Sequence, residues 1–262
     1  MNRNLRAVAV VASTTLREAL RNRILIVSLA FAIGVVALSV AAAAVSIGDR
    51  GRLIIDVGLA AASALGSIIA IALGVVSFGR ELERHTAYPV LARPLPRWAF
   101  VLGKYAGVLA TVSIVVTLMI AATVLTVWLN ASKVPGAVWS SLVLAWLEVG
   151  VVASVALFFS SFSGPVLAST FAAGVVLAGN FVGALRSLAD KLDAQGADGA
   201  ALLLRVVHHL LPDVELLSVR SQAANALPVP GGFLGWALVY SVVYSGAVLA
   251  LAMVVFERRR AV

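Results

Sequence analysis

The sequence of 262 residues contains no cysteine, three histidines and three methionines, and only 12% of its residues are charged. Without cysteine the chain has no disulfide, no zinc–thiolate site and no cysteine nucleophile. Copper has no obvious path either, because its soft ligands are cysteine and methionine. Soluble domains carry roughly twice this share of charged residues, so the composition argues against a soluble protein.

The sequence is rich in long apolar runs. Hydrophobic residues make up 61% of the sequence, the mean hydropathy is +1.04, and several runs exceed the roughly 18 residues that mark a membrane span. These runs lack the alternating pattern of barrel strands. Because lipid cannot satisfy backbone polar groups, the spans must be helices. The sequence therefore predicts an all-α polytopic membrane protein with one domain over residues 1–262.

Six transmembrane helices are predicted from the apolar runs. They cover residues 24–47, 53–78, 99–129, 138–162, 165–185 and 233–256. Residues 186–232 form a predicted extracytoplasmic segment with an amphipathic helix that lies on or dips into the outer leaflet. The apolar face of this helix is Leu203, Val206, Val207 and Leu210, its polar face is Arg205, His208 and His209, and Pro212 ends it.

The first 23 residues contain a further amphipathic pattern. Over residues 2–23, one helix face is Leu5, Val8, Ala9, Ala12, Leu16 and Ala19, and the opposite face is Arg6, Ser13, Arg17 and Arg21. A helix with one basic and one apolar face is predicted to lie in the inner interface of the membrane. A basic flank that only fixes the orientation of the first span is the alternative.

Basic residues in the connections predict the orientation. Thirteen of them fall on the side of the N-terminus and seven on the other side. Since cytoplasmic connections carry the excess of lysine and arginine, both termini are predicted to be cytoplasmic. The same topology explains the net charge of +8, so no nucleic-acid partner is expected.

The most densely charged segment between two apolar runs covers residues 79–98. Pro89 suits the first turn of a short helix that would end at Arg93, because Pro94 and Pro96 cannot continue it. The pattern predicts a short rigid helix across the ends of two membrane helices. Trp98 and Lys104 are predicted to lie at headgroup level, with Lys104 extending its charge toward water. A generic positively charged loop is the alternative.

This segment resembles the permease subunits of ABC-2 type exporters, and most closely the branch grouped with multicopper-enzyme maturation. The resemblance is carried by an acidic and basic run, a threonine, a short apolar stretch, a proline, an arginine and an apolar-Gly-Lys sequence. In this chain these are Glu81–Arg84, Thr86, Val90–Ala92, Pro94, Arg97 and Leu102–Lys104. The residues at 211–217 and 226–232 resemble the same branch.

The resemblance implies a non-catalytic permease subunit of a bacterial inner membrane, paired with a second permease, as a homodimer, and with a separate ATPase subunit. The short helix would be the coupling helix, with Arg84, Thr86, Pro89, Val90, Leu91, Arg93, Pro94 and Arg97 as its docking residues. ATP and Mg would bind the partner ATPase, and this chain would bind no cofactor. In agreement, Gly103 and Lys104 are followed by Tyr105 where a phosphate-binding loop needs serine or threonine. The substrate remains unidentified.

Small residues recur at every fourth position of the second predicted span. They are Gly58, Ala62, Gly66, Ala70 and Gly74. Such a ridge allows another helix to approach closely, in the same subunit or in a partner. Shorter pairs occur at Gly103 with Gly107 and at Gly179 with Gly183, which chance could also produce in a chain this rich in glycine.

Glu148 is the one acidic residue deep in a predicted span. Intramembrane acids mark substrate or proton pathways, but a protonated or Asn180-paired carboxyl could equally serve packing alone. A functional Glu148 would favour a proton-coupled secondary transporter as the alternative class, and a membrane scaffold without transport activity is a further alternative. No intramembrane protease is expected, because all three histidines fall in connections.

Overall fold

The computed structural model describes residues 3–21, 50–83, 97–130, 133–194 and 198–258, with isolated positions between 30 and 41. All regular elements in these ranges are helical, as the composition predicts. The helices are α1 (Arg3–Arg21), α2 (Arg50–Glu83), α3 (Arg97–Leu129), α4 (Ala137–Ser160), α5 (Pro165–Gly179), α6 (Val182–Ala194), α7 (Asp198–Leu210), α8 (Arg220–Ala224) and α9 (Phe233–Arg258). A 3-10 turn, Glu215–Leu217, lies between α7 and α8.

Four of these helices are long and apolar enough to cross a membrane, namely α2, α3, α4 and α9. Helices α5 and α6 together make a fifth candidate, but the pair is bent by 60°. Six spans were predicted, and the first of them, residues 24–47, lies outside the described residues.

The bend divides the stretch predicted as one span over 165–185. Helix α5 has 15 residues and is therefore about 22 Å long, which is less than the roughly 30 Å of the hydrocarbon core. Its end is marked by Asn180, whose side-chain Nδ2 donates a hydrogen bond to the Val176 carbonyl at 2.9 Å. Chain direction changes after this residue, and α6 pairs with α7 instead of continuing α5.

The bundle has two ends, which we name by the first and last residues of α2. The Arg50 end also holds the connection from α3 to α4, the segment 211–232 and the start of α9. The Glu83 end also holds the start of α3, the connection from α4 to α5 and the end of α9. Stacking of the Phe100 and Phe256 rings, with centroids 6.1 Å apart, joins α3 to α9 at the Glu83 end.

Helix α4 lies at the centre of the described bundle, between α2, α3 and α9. It is the most buried of the four candidate spans, and α9 is the least buried. Valine and alanine form most of its contact surface, and every residue from Val149 to Leu157 is buried. Short side chains let the neighbouring backbones approach closely, which is the main source of helix association in lipid.

The segment 211–225 packs on the Arg50 end of the bundle. Leu217 and Val219 are buried against Leu144 and Ala237. The backbone N–H of Asp213 donates to the Tyr240 hydroxyl at 2.7 Å, which ties this segment to α9. In contrast, α7 keeps an exposed apolar face that includes Leu203, Val206 and Val207. The predicted outer segment therefore has two parts, one packed on the bundle and one with exposed apolar residues.

Candidate functional site

The small-residue ridge of α2 faces α3 and α4 of the same chain. A Cβ atom at Gly58 would collide with the Thr123 side chain of α3. At Gly66 it would lie 2.7 Å from Val116 Cγ2, also on α3, and at Gly74 it would lie 2.9 Å from Ala156 Cβ of α4. The intervening residues Ala62 and Ala70 are buried. The five residues thus lie where α2 approaches its two neighbours.

Helix α1 packs against a second pair of glycines, on α3. An added Cβ at Gly103 would lie 2.6 Å from Val11 Cβ, and one at Gly107 would lie 2.6 Å from Thr15 Cβ and 2.9 Å from the Ala12 carbonyl oxygen. This pair, which chance could have produced, therefore lies at a helix contact. Gly179 and Gly183 meet the segment 211–225 in a similar way, at Pro212 and Glu215.

The face that α1 uses for this contact overlaps the predicted apolar face, since Val8, Ala12 and Leu16 are half-buried and Ala19 is buried, but it does not include Ala9. Ala7, Thr15 and Ala19 are buried, whereas Ala9 and Val10 are exposed. The predicted face included Ala9 because it followed hydrophobicity alone. Close packing on two glycines instead selects small residues, and Thr15 is accommodated because its hydroxyl donates to the Val11 carbonyl of the preceding turn at 2.9 Å.

Glu148 is buried at the contact between α4 and α2. Its Oε1 atom accepts hydrogen bonds from Ser63 Oγ at 2.7 Å and from Ser67 Oγ at 3.1 Å. Pairing with Asn180, one of the alternatives for this carboxyl, is not formed among the described residues, and the Asn180 amide donates within its own helix instead. Each serine follows a ridge residue of α2 by one position, so the close approach that the ridge allows brings two short hydroxyls within reach of the carboxyl.

A narrow cleft leads from Glu148 to the Arg50 end. Ser63, Ser141 and Glu148 line its inner part, and Ser218 and Arg220 line its mouth. Arg220 Nε lies 3.1 Å from Asp56 Oδ1, and both side chains are about half exposed. No linear pattern in the sequence pairs Asp56 with a residue 164 positions later in the chain.

Lys104 differs from its prediction. It is 2% exposed, and its Nζ lies 5.8 Å from the centroid of the Phe100 ring, within the range of a cation–π contact. The side chain is thus buried within the bundle and does not extend its charge toward water. Trp98 is partly exposed at 36%.

Most of the predicted coupling residues lie outside the described residues. These are Arg84, Thr86, Pro89, Val90, Leu91, Arg93 and Pro94, whereas Arg97 is the first residue of α3. The structure describes the two helices that flank this loop, α2 and α3. Helix α2 continues through Glu83 without a break, and α3 starts 14 residues later.

Comparison with known families explains this arrangement of helices. A family model described as ABC-2 family transporter protein matches residues 3–261. The chain belongs to the ABC-2 transporter family. The match begins at the first residue of α1, so that helix is part of the ABC-2 family region of the chain together with the spans. No curated protein matches this ABC-2 transporter protein.

Proposed function

We propose that the chain is the permease subunit of an ABC-type exporter that uses ATP hydrolysed by a separate subunit. The observation that carries this proposal is the ABC-2 family match over residues 3–261. ABC-2 permeases generally pair with an ATPase subunit, and this sequence has no phosphate-binding loop of its own. The proposal includes a bacterial inner membrane, a homodimer of permeases, and membership of the multicopper-enzyme-maturation branch.

The lengths of α2 and α3 support a coupling role for residues 79–98. Helices of 34 and 33 residues are each about 50 Å long, which exceeds the roughly 30 Å of the hydrocarbon core. Arg50 and Arg52 place the start of α2 near one membrane surface, so its surplus length falls at the Glu83 end. Helix α2 would therefore project from the membrane at this end and carry the loop with the coupling helix, from about Pro89 to Arg93, toward the ATPase.

Helix α1 stabilises the start of α3, next to the proposed coupling loop. Its contact with Gly103 and Gly107 holds the first turns of α3, directly after the loop. Ala19 of α1, Leu73 of α2 and Val108 of α3 meet around one small cleft. Force applied to the loop by an ATPase would thus reach three helices together, and the exposed basic face of α1 would remain at the inner membrane interface.

The docking of the ATPase can be tested by reversing charge in the loop. Arg93→Glu combined with Val90→Asp is expected to release the ATPase on purification, because an unpaired or repelled charge at a protein contact costs several kcal/mol, roughly 2–5 kcal/mol. The measurement is the stoichiometry of ATPase that co-purifies with the permease. Lys133→Glu, an exposed change at the Arg50 end, is the matched control. Wild-type stoichiometry in the loop variant would contradict the coupling role.

The orientation can be tested in this cysteine-free chain with single cysteines. An impermeant thiol reagent added to intact cells is expected to label Lys133→Cys and Gly196→Cys, and to leave Asn22→Cys, Thr86→Cys and Arg259→Cys unlabelled until the cells are opened. The physical reason is the excess of basic residues at the Glu83 end. Labelling of the Thr86 variant together with the Lys133 variant in intact cells would contradict the proposed topology.

A further inference from the structure

Within the described part of the chain, one oxygen of the Glu148 carboxyl has hydrogen-bond donors and the other has none. Both serine hydroxyls donate to Oε1, and no side chain of the described residues donates to Oε2. Glu148 is 3% exposed, so the carboxyl lies away from bulk solvent. A buried carboxylate is costly unless its charge is neutralised or each oxygen has a donor. The second oxygen therefore needs a proton, a cation or a water molecule.

The size of the cleft limits what can reach this oxygen. The space that the centre of a water molecule can occupy there is about 20 Å³, enough for roughly one or two waters. An organic substrate does not fit in such a volume. Ser63, Ser141 and Ser218 supply polar groups along the path, which suits water. By size alone, water, a proton and a small monovalent cation can reach the oxygen, and the proton is the one that a single carboxyl oxygen binds without further ligands.

Few ionisable groups face this site. Helix α2 contributes Asp56, which is paired with Arg220 of α8 at the mouth of the cleft. Helix α3 has no ionisable residue between Tyr105 and its end, and α4 has none besides Glu148.

On the remaining sides, Tyr240 and Tyr244 of α9 pack against Leu144 and Val151 of α4. The segment before α8 adds Asp213 and Glu215. Because Arg220 is held by Asp56 at the mouth, no cation in the described part of the chain lies beside the carboxyl as a counter-charge.

We propose that Glu148 is a proton-binding site that water reaches from the Arg50 end of the bundle, through the cleft beneath Arg220. A hydronium ion in the cleft transfers its proton to Oε2 and leaves a water molecule, so the carboxylate becomes a neutral acid. This site is separate from the proposed coupling loop, which lies at the opposite end of α2. Its existence does not depend on the ATPase.

The protonated acid can be detected directly in the native full-length protein by infrared spectroscopy, which needs no reagent to enter the cleft. A protonated carboxyl has a C=O stretching band that a carboxylate lacks. In membranes containing the native chain, we expect such a band to grow as the pH is lowered. Glu148→Gln should remove this band, and Asp56→Asn should retain it. Absence of a band that depends on Glu148, or a band independent of pH, would overturn the proposal.

Access through the cleft is tested by a pair of cysteines on α4. Ser141 lines the cleft, and Ser154 lies deeper in the same helix with no exposed surface. With silver ions, which are small enough for the cleft and bind thiols, added from the Arg50 side, Ser141→Cys is expected to react at least about tenfold faster than Ser154→Cys, since thiol reactivity follows exposure. Equal, slow reaction of both would show that no water path reaches Glu148. Neither measurement uses the ATPase, so their results do not decide the exporter proposal, which is tested separately by co-purification of the ATPase.

Discussion

The two ends of the bundle are closed by different kinds of contact. At the Glu83 end, α1 lies against Gly103 and Gly107 of α3, where backbone atoms, Val11 and Thr15 meet the glycines. At the Arg50 end, the segment 211–225 is held by larger apolar side chains and by one half-exposed ion pair, Asp56 with Arg220. The first contact is close at both glycines and borders a small cleft lined by Ala19, Leu73 and Val108, with no buried acid among the described residues at its end. The second leaves a water-sized cleft that ends at Glu148.

This difference fits two separate tasks. Glycine contacts transmit displacement well, because packed backbones have no long side chains that could absorb it by changing rotamer. The contact at the Arg50 end is made by side chains over a polar cleft, so it admits water. We expect its separation to cost less free energy than separation of α1 from α3. We therefore expect substitutions at the Glu83 end to have larger effects than those at the Arg50 end.

The largest effect is expected from Gly107→Val. A side chain at this position meets Thr15 and the Ala12 carbonyl, and the backbone atom cannot move away without moving α1. Overpacking typically costs about 1–3 kcal/mol and more where the neighbour cannot move aside, as with this backbone carbonyl, so the variant should displace α1. The measurement is thiol labelling of Thr15→Cys, a buried position that should become accessible in the Gly107→Val background.

The control for this variant is Gly246→Val in α9. An added Cβ there has no neighbour within 4 Å, so the same change of residue type lacks the collision. It should leave Thr15→Cys protected. If both valine variants expose Thr15→Cys equally, the contact between α1 and α3 does not depend on close packing at Gly107.

An intermediate effect is expected when Glu148 loses its donors. Ser63→Ala with Ser67→Ala leaves the buried Oε1 without a partner, which costs roughly 1–3 kcal/mol for each unsatisfied group. The measurement is the free energy of unfolding in detergent. The matched control places the same two changes in a Glu148→Met background, where no carboxyl needs donors and the cost should be much smaller. An equal cost in both backgrounds would mean that the serines stabilise the bundle by packing alone.

The smallest effect is expected from Asp56→Asn at the mouth of the cleft. Partly exposed ion pairs contribute about 0–1 kcal/mol and are screened by salt. The loss of stability should therefore be small, and it should vanish in about 1 M salt. Arg205→Gln, which breaks the exposed pair with Asp193, serves as a comparison of the same type. A loss for Asp56→Asn as large as that for the serine pair would show that charge holds the Arg50 end together.

Hydropathy predicted the four long spans well, because a membrane helix needs a length of apolar sequence and little else. The predicted spans 53–78, 99–129, 138–162 and 233–256 lie within a few residues of α2, α3, α4 and α9. The bend after Asn180 was missed, since the apolar run continues across it. A signal was present in Gly179, Asn180 and Gly183, residues that favour helix ends and close contacts.

The partners of Glu148 show where a linear pattern is insufficient. The small-residue ridge identified the face of α2 that approaches other helices, but the sequence does not contain the register between α2 and α4. Ser63 and Ser67 become partners only because that register places them opposite Glu148. The burial of Lys104 was missed for a related reason, since it depends on how α3 packs against its neighbours, which no linear pattern contains.

The contact between α1 and α3 can form only late in the synthesis of the chain. Gly107 follows Thr15 by 92 positions, so α1 leaves the ribosome long before its docking site exists. At about 5–20 residues per second, the delay is roughly 5–20 s. During that interval α1 has no glycine pair to pack against. We expect α1 to lie at the membrane surface until α3 is inserted, because it has exposed apolar residues, Ala9 and Val10, together with arginines.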